Sequence, residues 1–309
     1  MTDIAIQTHR LTKRYGDITA VDDLTLQVLQ GEIFGLLGPN GAGKTTSINM
    51  LCGLLQPDSG DVFIGGEPAR GRESRLRVGV CPQNIVLWGT LTCMEQMEFI
   101  GEMYNLPRKM ARLRSEALLE GMGLIDKRNK LSRTLSGGMQ RRLNLVMALV
   151  HDPEILVLDE PEAGLDPQSR VLVRDYIRSL AHQKTVILTT HNMDEAERMA
   201  DRVAIIDHGR LLTVDTPDAL KRFAGEGDVL EMDVTGFPKE VVMKTLAPLA
   251  LGISFTDNTL MIRARGVVDL LPSIMDALKQ GGFPHGEVRL RANSLEDVFI
   301  ALTGRKLRE

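Results

Sequence analysis

The sequence has little cysteine, no long apolar run and no basic excess, and each shortage excludes a class of protein. Its 309 residues include 3 cysteines, an odd number without CxxC spacing, which argues against a disulfide framework or a zinc site and favours a reducing compartment. No run approaches the roughly 18 apolar residues of a transmembrane helix, and no basic segment followed by an apolar stretch opens the chain as in a signal peptide. The net charge of −4 disfavours broad nucleic-acid binding, so no nucleic-acid partner is expected.

About the first 220 residues alternate short apolar runs with longer helical patterns. Expected strands include Ile4–Thr8, Glu32–Leu37, Val78–Cys81 and Ile155–Asp159. This alternation predicts a mainly parallel sheet covered by helices. With 43% hydrophobic residues, the chain can bury a full core.

The pattern changes near Lys221–Asp228, where glycines predict a linker. Beyond it the order is β-α-β-β-α-β, which is the ferredoxin-like pattern, followed by a helix beginning at Asn293 or Ser294. The sequence therefore predicts two domains, residues 1–222 and residues 229–309. The chain from Lys221 onward carries no net charge, so the charge of −4 belongs to the first part.

A phosphate-binding loop is predicted between an apolar strand ending at Leu37 and a helical pattern, the context that the motif G-x-x-x-x-G-K-[ST] requires. Its glycines let backbone N–H groups turn toward a triphosphate, and the helix N-terminus behind it favours an anion. Lys44 would reach the outer phosphates, and the Thr45 hydroxyl would ligate Mg²⁺. The predicted nucleotide-binding residues of this loop are Gly38, Pro39, Asn40, Gly41, Ala42, Gly43, Lys44, Thr45 and Thr46.

Two acids, Asp159 and Glu160, end the apolar strand Ile155–Asp159. Acids directly after a buried strand are costly without partners. We therefore expect Asp159 to hold Mg²⁺ and Glu160 to polarise an attacking water. The alternative, two surface charges at a strand end, is less consistent with a chain that also carries a phosphate loop.

A serine and two glycines, Ser136, Gly137 and Gly138, open a helical run shortly before that strand. Backbone N–H groups at such a helix start favour an anion. A plain serine N-cap followed by permissive glycines is the alternative, and the segment alone does not decide between them.

Together these motifs resemble the ATP-binding subunit of an ABC transporter over about the first 220 residues. The resemblance implies a P-loop fold of ABC type, with a mixed α/β sheet core and a helical subdomain at about residues 84–150. Leu135–Gln140 matches the signature motif, and Asp159–Glu160 matches the Walker B pair. Further positions that match are Tyr15, where the family stacks adenine, Gln83 in the Q-loop, which senses Mg²⁺ and the membrane partner, Asp166 in the D-loop, and His191, the switch histidine.

Each of these single residues also has a plainer explanation. Tyr15 could be an ordinary surface or core aromatic residue, and Gln83 could be a solvated loop residue. Asp166, which precedes Pro167, could cap the helix that follows. His191 could be a strand-end histidine satisfied by a neighbour. The order and spacing of all the motifs together favour the family assignment.

The resemblance also implies how the motifs cooperate. One chain carries one phosphate loop and one signature, and the family sandwiches ATP between the loop of one domain and the signature of another. A homodimer, or a pair with a close relative, is therefore expected, with ATP stabilising the dimer and hydrolysis weakening it. Glu160 would activate water and His191 would contact the γ-phosphate. Lys44 and Ser136 would neutralise charge on the transferring group while Mg²⁺ bridges the phosphates.

Glu162 departs from the family's pattern. It follows Asp159-Glu160-Pro161, at a position where threonine is common in the family. We expect its side chain to face solvent. The alternative is an ion pair across the dimer.

The predicted partner is a separate membrane permease, which places the chain at the cytoplasmic face of the cell membrane. The expected contact lies between Gln83 and Ile100, where Trp88 is the better interface candidate and the methionines could equally pack in a core. The tail from Ser294 to Arg305 resembles that of ATPases that drive type-2 exporters of the daunorubicin/multidrug, sodium-extrusion or nodulation-factor kind. In that group the resemblance implies a C-terminal domain that stabilises the dimer or regulates it.

Three other functions compete with an exporter ATPase. Soluble ABC ATPases that act on ribosomes usually carry two nucleotide domains, and those that repair DNA insert a coiled coil or zinc modules. An importer ATPase would share the catalytic core but not the tail. A non-enzymatic regulator is disfavoured by the intact Lys44, Glu160 and His191. The cargo is beyond the sequence, because the permease selects it.

Overall fold

The computed structural model describes residues 3–223, 227–233, 238–249, 252–256, 259–264, 266–282 and 287–304. They fall into two compact units, Met1–Val214 and Asp215–Arg308. Residues 224–226 of the predicted linker and Arg305 of the C-terminal motif lie outside the described residues. Each unit has apolar core clusters of its own.

The first unit follows the predicted alternation of strands and helices. Its strands are β1 (Ile4–Tyr15), β2 (Ile18–Leu24), β3 (Gln27–Leu29), β4 (Ile33–Leu37), β5 (Ser59–Ile64), β6 (Glu67–Pro68), β7 (Val78–Cys81), β8 (Ile155–Asp159), β9 (Thr185–Thr190), β10 (Arg202–Asp207) and β11 (Arg210–Asp215). Its helices are α1 (Lys44–Leu51), α2 (Arg72–Leu76), α3 (Cys93–Met103), α4 (Arg108–Gly121), α5 (Gly137–Met147), α6 (Pro167–Ser179) and α7 (Met193–Met199), with 3₁₀ turns at Ile125–Lys127 and Ser132–Thr134.

A six-stranded sheet carries the sequence motifs, in the order β11-β10-β4-β9-β8-β7. From β10 to β7 each neighbouring pair is parallel. Strands β4, β8 and β9 are buried along their whole length, which explains their near-continuous apolar sequences. Because parallel strands end at the same edge, the loops after β4, β7, β8 and β9 meet there.

A second sheet is antiparallel and is not predicted by the strand–helix alternation. In it β1 pairs with β2, β3 and β5, and β5 pairs with β6. The register of β1 against β5 shifts between His9 and Thr12, beside Arg10 with a φ of 50°. Such a bulge interrupts the alternation of apolar and polar residues that identifies a strand in a sequence.

The central sheet separates two apolar cores. In β8, Leu156 and Leu158 face a cluster with the helices α3 to α6, whereas Ile155 and Val157 face the antiparallel sheet and α1. This division follows from the alternation of side chains along a strand. The sheet is therefore covered on both faces, and its carboxyl-terminal edge is held between them.

The second unit contains the predicted β-α-β-β-α-β order. Its elements are α8 (Pro217–Phe223), β12 (Asp228–Asp233), α9 (Lys239–Leu246), a 3₁₀ turn at Ala247–Leu249, β13 (Gly252–Thr256), β14 (Thr259–Ala264), α10 (Val267–Gln280), β15 (Val288–Arg291) and α11 (Leu295–Thr303).

The strands of this unit form one antiparallel sheet in the order β13-β14-β12-β15, the ferredoxin-like arrangement. Helices α9 and α10 cover its apolar side chains. The closing helix α11 buries Leu295, Val298 and Phe299, while Leu302 on the same face is half-buried. Helix α8 packs on α11, and the Asn293 Nδ2 donates to the Lys221 carbonyl at 2.7 Å.

The structure bears on two of the shortages in the sequence, that of cysteine and that of long apolar runs. Cys52, Cys81 and Cys93 are buried free thiols. Burial raises the pKa of Cys52 to about 12 and that of Cys81 to about 11, so neither is a reactive thiolate at neutral pH. Within the described ranges, no helix combines the length and the apolar character needed to cross a membrane.

Candidate active site

The predicted site residues that follow strands converge at the carboxyl-terminal edge of the six-stranded sheet. The phosphate loop follows β4, and Gln83 follows β7. Asp159 ends β8 with Glu160 directly after it, and His191 follows β9. Neighbouring parallel strands therefore place these side chains around one edge.

Two glycines of the phosphate loop stand where a side chain could not fit. A Cβ atom on Gly38 would lie 2.3 Å from the carbonyl oxygen of Ile206. Gly43, the N-cap of α1, has a φ of 99°, and a Cβ there would lie 2.3 Å from the carbonyl oxygen of Ala20. Lys44 is buried, and its Nζ donates to the carbonyl oxygens of Gly38 at 2.7 Å and Pro39 at 3.0 Å.

Thr45 and Asp159 form an oxygen pair suited to a divalent cation. The Thr45 hydroxyl donates to Asp159 Oδ2 at 2.9 Å, and the Thr189 hydroxyl donates to the other carboxylate oxygen. A cavity of about 360 Å³ is lined by Thr45, Gln83 and Asp159 among others. A hydroxyl, a carboxylate and an amide oxygen are ligands that Mg²⁺ accepts when phosphates and water complete its octahedron, so these residues fit the predicted metal.

The Glu160 carboxylate is the meeting point of three predicted residues. Gln83 Nε2 donates to Oε2 at 3.1 Å, and His191 Nδ1 lies 2.9 Å from Oε1. Lys44 Nζ lies 4.0 Å from the same oxygen. Glu160 is 8% exposed. Burial lowers the pKa of Lys44, and the carboxylates of Glu160 and Asp159 oppose that change.

The backbone of Glu160 is held in the left-handed region, with a φ of 49°. Its N–H donates to the hydroxyl of Thr189 at 3.0 Å and to the carbonyl oxygen of the same residue at 3.2 Å. A residue other than glycine is strained in this conformation, and such strain is tolerated mainly where the surroundings determine the geometry at a reactive site.

Three other predicted residues are exposed on the first unit without contacting Glu160. Tyr15 is half exposed, with Lys13 Nζ 5.7 Å from its ring centre. Ser136 caps α5 by accepting from Met139 N–H at 3.3 Å. Asp166 caps α6 by accepting from Ser169 N–H at 3.0 Å, and hydrogen bonds from the Ser169 side chain and backbone lower its pKa. Ser136 and Asp166 are therefore both helix N-caps, as the plainer explanation of each residue predicts.

The expectation that Glu162 faces solvent is wrong. Its side chain is 1% exposed, and it accepts from Arg174 Nε at 3.1 Å and Nη2 at 2.8 Å. Nearby, burial and the Glu162 charge raise the pKa of Glu195, whose carboxylate accepts from the Thr190 hydroxyl at 2.9 Å. The turn after Pro161 points Glu162 into α6, so a bidentate arginine replaces water as its partner.

Two residues of the site are missed by sequence reasoning. Thr189 supports both Asp159 and Glu160, and its only signal is its place two residues before His191. Arg141 lies inside the site on α5, just beyond the signature segment, with no motif position to announce it.

Comparison with known proteins agrees with this geometry. The family model of the ABC transporter matches residues 21–163. Nod factor export ATP-binding protein I of Ralstonia nicotianae is 42% identical over 302 residues, which cover 97% of this chain and 94% of that protein. Daunorubicin resistance ATP-binding protein DrrA3 of Streptomyces coeruleorubidus is 39% identical over 309 residues, covering 98% of this chain and 97% of that one.

A solved ATP-binding cassette, in a dimeric post-hydrolysis state bound to ADP and Pi, superposes with a TM-score of 0.63 at 25% identity. The match covers 68% of this chain and 98% of that chain. The predicted family and its P-loop fold are thus confirmed. The chain belongs to the ABC transporter family, as an ATP-binding and ATP-hydrolysing subunit of the exporter type.

Proposed function

We propose that the chain hydrolyses Mg-ATP where Lys44, Gln83 and His191 converge on Glu160, and that two copies do so to drive export through a separate permease. The observation that carries the proposal is the surroundings of the Glu160 carboxylate, with an amide at 3.1 Å, an imidazole at 2.9 Å and an ammonium at 4.0 Å. These groups orient the Glu160 carboxylate, and none of them is an arginine that would pair with both of its oxygens.

In the proposed reaction, water attacks the γ-phosphorus and its proton passes to Glu160. The bond from the γ-phosphorus to the bridging oxygen breaks, and ADP leaves with the electron pair. Lys44 lies where it can neutralise charge on the transferring group, and His191 keeps the carboxylate oriented. Thr45, Asp159 and Gln83 would hold Mg²⁺, which neutralises phosphate charge when bound.

The exposed signature supports assembly of two copies. Ser136 and Gly137 face outward, and a Cβ atom on Gly137 would meet nothing within 4 Å. At Gly138 a Cβ atom would lie 3.4 Å from the Asp166 carboxylate, so the D-loop borders the signature. We propose that this surface receives the triphosphate bound to the second copy, and that the exposed Tyr15 stacks on adenine.

The permease contact is proposed on an apolar surface beside Gln83. We name as the apolar surface the residues Ile85, Val86, Trp88, Phe99 and Met103, which are 40% to 61% exposed. The rings of Trp88 and Phe99 meet edge to face, with 5.4 Å between their centres. Exposed aromatic residues of this kind suit a buried contact with a helix of the partner.

Two methionines of the same segment belong elsewhere. Met94 and Met97 are 7% and 0% exposed and lie in the core of the helical subdomain. The core explanation that the sequence left open for them is thus confirmed. The proposed permease contact therefore rests on Trp88 and its exposed neighbours.

The first experiment compares Glu160→Gln with Glu154→Gln in steady-state ATPase and nucleotide-binding assays. Glu154 lies at the opposite end of β8, paired with Arg77 on the surface. We expect Glu160→Gln to lose at least about 100-fold in turnover while it still binds ATP and dimerises by light scattering. Glu154→Gln should keep normal turnover. Normal turnover in Glu160→Gln would contradict the assignment of Glu160 as the base.

The second experiment tests the apolar surface. Trp88→Ala is compared with Leu113→Ala, a residue on α4 that is 61% exposed and lies outside that surface. We expect Trp88→Ala to lose co-purification with the membrane protein encoded beside it, while basal ATP turnover is unchanged. Retained co-purification in Trp88→Ala, or an equal loss in Leu113→Ala, would contradict the proposed contact.

A further inference from the structure

Arg141 lies between two loops of the site. Its side chain projects from α5 and is 3% exposed. Nη1 donates to the carbonyl oxygens of Pro82 at 2.8 Å and Gln83 at 2.6 Å. Nη2 donates to the carbonyl oxygens of Asp159 at 2.7 Å and Glu160 at 2.6 Å. One guanidinium thus joins the loop after β7 to the loop after β8.

The remaining donor, Nε, reaches the carbonyl oxygen of Pro161 at 3.4 Å. None of the ion pairs among the described residues involves Arg141. A buried guanidinium that lacks a carboxylate loses much of its hydration energy, so its stability here depends on these carbonyl dipoles. A carbonyl left without a donor would in turn be costly. Both loops are therefore constrained to stay around Arg141.

The planar fork of arginine is what makes the bridge possible. Its five N–H groups point in fixed directions over several ångströms, whereas a lysine carries all its donors on one nitrogen. A lysine could reach the loop at Gln83 or the loop at Glu160, but its single nitrogen cannot span both sets of carbonyl oxygens. The contacts to both loops therefore require the shape of the arginine side chain and not only its positive charge.

The two bridged loops carry the side chains that meet in the site. Gln83 Nε2 donates to Glu160 Oε2 at 3.1 Å, and each of these residues also gives its carbonyl oxygen to Arg141. Glu160 is strained at a φ of 49°, a conformation that needs outside support. The distance between the amide and the carboxylate therefore depends on the bridge.

We propose that Arg141 is a positioning residue for ATP hydrolysis, which holds the Gln83 loop and the Glu160 loop at the separation where their side chains engage. This inference rests on the proposed role of Glu160 as the base. The same loop continues to Val86 of the apolar surface, whose N–H donates to Asn144 Oδ1 on α5 at 3.2 Å.

The test compares Arg141→Lys with Arg142→Lys in the full chain. Arg142 is the neighbouring arginine of α5, and its Nη1 donates to the Met122 carbonyl, away from the site. We expect Arg141→Lys to lower kcat by about 10- to 100-fold, because a small misplacement of reacting groups is that costly. Its KM for ATP should change less than about 3-fold, since the phosphate loop is untouched. Arg142→Lys should keep kcat within about 2-fold.

A double-mutant cycle separates positioning from general damage. If Arg141 acts through the contact between Gln83 and Glu160, Arg141→Lys costs a smaller factor in a Gln83→Ala background than in the wild type. Equal factors in both backgrounds, or an unchanged kcat in folded Arg141→Lys, overturn the inference. Arg141→Gln, which retains two donors, serves if the lysine variant does not fold by circular dichroism.

Glu160→Gln measured in parallel distinguishes the two proposals. Normal turnover in Glu160→Gln removes the proposed function itself. A large loss of turnover in Glu160→Gln together with normal turnover in Arg141→Lys refutes only the proposed positioning role of Arg141.

Discussion

Arg141 in the first unit and Arg291 in the second unit bind different partners. In the first unit, Arg141 donates to backbone carbonyl oxygens, while Glu160 is contacted by an amide, an imidazole and a lysine. In the second unit, the fully buried Asp297 is held by Arg291 at 2.8 Å and by Arg263 at 3.3 Å. The carboxylate of Asp297 is thus paired with guanidinium groups, whereas that of Glu160 is not.

The electrostatics of Asp297 explain the difference. Burial alone raises its pKa, but hydrogen bonds from Arg291 and Ser294 hold the pKa below the ordinary value. The hydrogen bonds to Asp297 in turn raise the pKa of Arg291. A carboxylate that two guanidinium groups keep ionised is a poor proton acceptor, so its role is to fasten α11 to the sheet.

Glu162 resembles Asp297 in being paired with an arginine, although it lies only two residues from Glu160. Its bidentate partner Arg174 fixes the turn after β8 against α6. The partner of each acid, and not its distance along the chain, therefore distinguishes the surroundings of Glu162 from those of Glu160.

The largest expected change in stability comes from Asp297→Asn. Removing one charge from a buried cluster leaves Arg291 and Arg263 incompletely paired, which we expect to cost the second unit about 3 kcal/mol. Urea unfolding followed by circular dichroism measures it. Trp88, the only tryptophan, reports the first unit alone, and its transition should not move. Glu296→Gln, at an exposed neighbour on α11, is the control, and a loss of similar size there would contradict the assignment.

A smaller loss is expected from Glu162→Thr, which restores the residue common in the family. Arg174 then keeps its charge without its partner, at a side chain that is 17% exposed, and we expect a cost of about 2 kcal/mol. Unfolding followed by Trp88 fluorescence measures it. In an Arg174→Met background the same substitution should cost much less, and equal costs in both backgrounds would show that the ion pair is not the cause.

The smallest expected effect concerns His151, which the first unit holds half-buried as a neutral ring. The ring stacks on Tyr104 with 3.7 Å between centres, and burial lowers the pKa of His151 from 6.5 to about 4. Between these values the unfolded chain binds a proton that the folded chain does not, so stability falls as the pH falls. This proton uptake contributes about 1–2 kcal/mol to the decrease in the free energy of unfolding between pH 7 and pH 5.

His151→Phe, which keeps the ring contact, should remove this part of the pH dependence in Trp88-monitored unfolding. His9→Phe, at an exposed histidine with an edge contact to Phe63, is the matched control. An unchanged pH profile in His151→Phe would refute the explanation.

The accuracy of the sequence-based fold depends on how each strand is buried. The strands Val78–Cys81 and Ile155–Asp159 begin and end as predicted, because parallel strands covered on both faces are nearly continuous apolar runs. The antiparallel sheet is predicted at the beginning of β1 but not over the rest of β1 or in β2, because those parts are half exposed or bulged. Their sequences therefore lack a regular period.

The candidate site divides in the same way. The phosphate loop is predictable because its chemistry lies within consecutive residues that the backbone alone arranges. Glu162 and Arg141 are not predictable, because their partners lie on other elements, and those of Arg141 are 18 to 59 residues away in the chain. The roles of the individual site residues remain proposals for the experiments above.

The sequence by itself determined the family, the α/β class and which residue types carry the chemistry, since motif order and local periodicity are properties of neighbours along the chain. Only the tertiary structure decided which acid faces an arginine and which faces an amide. That choice depends on which strand ends and helices meet at one edge of the sheet. Burial there makes each polar contact costly to leave unpaired, so the partners supplied by distant elements distinguish Glu160 from Glu162.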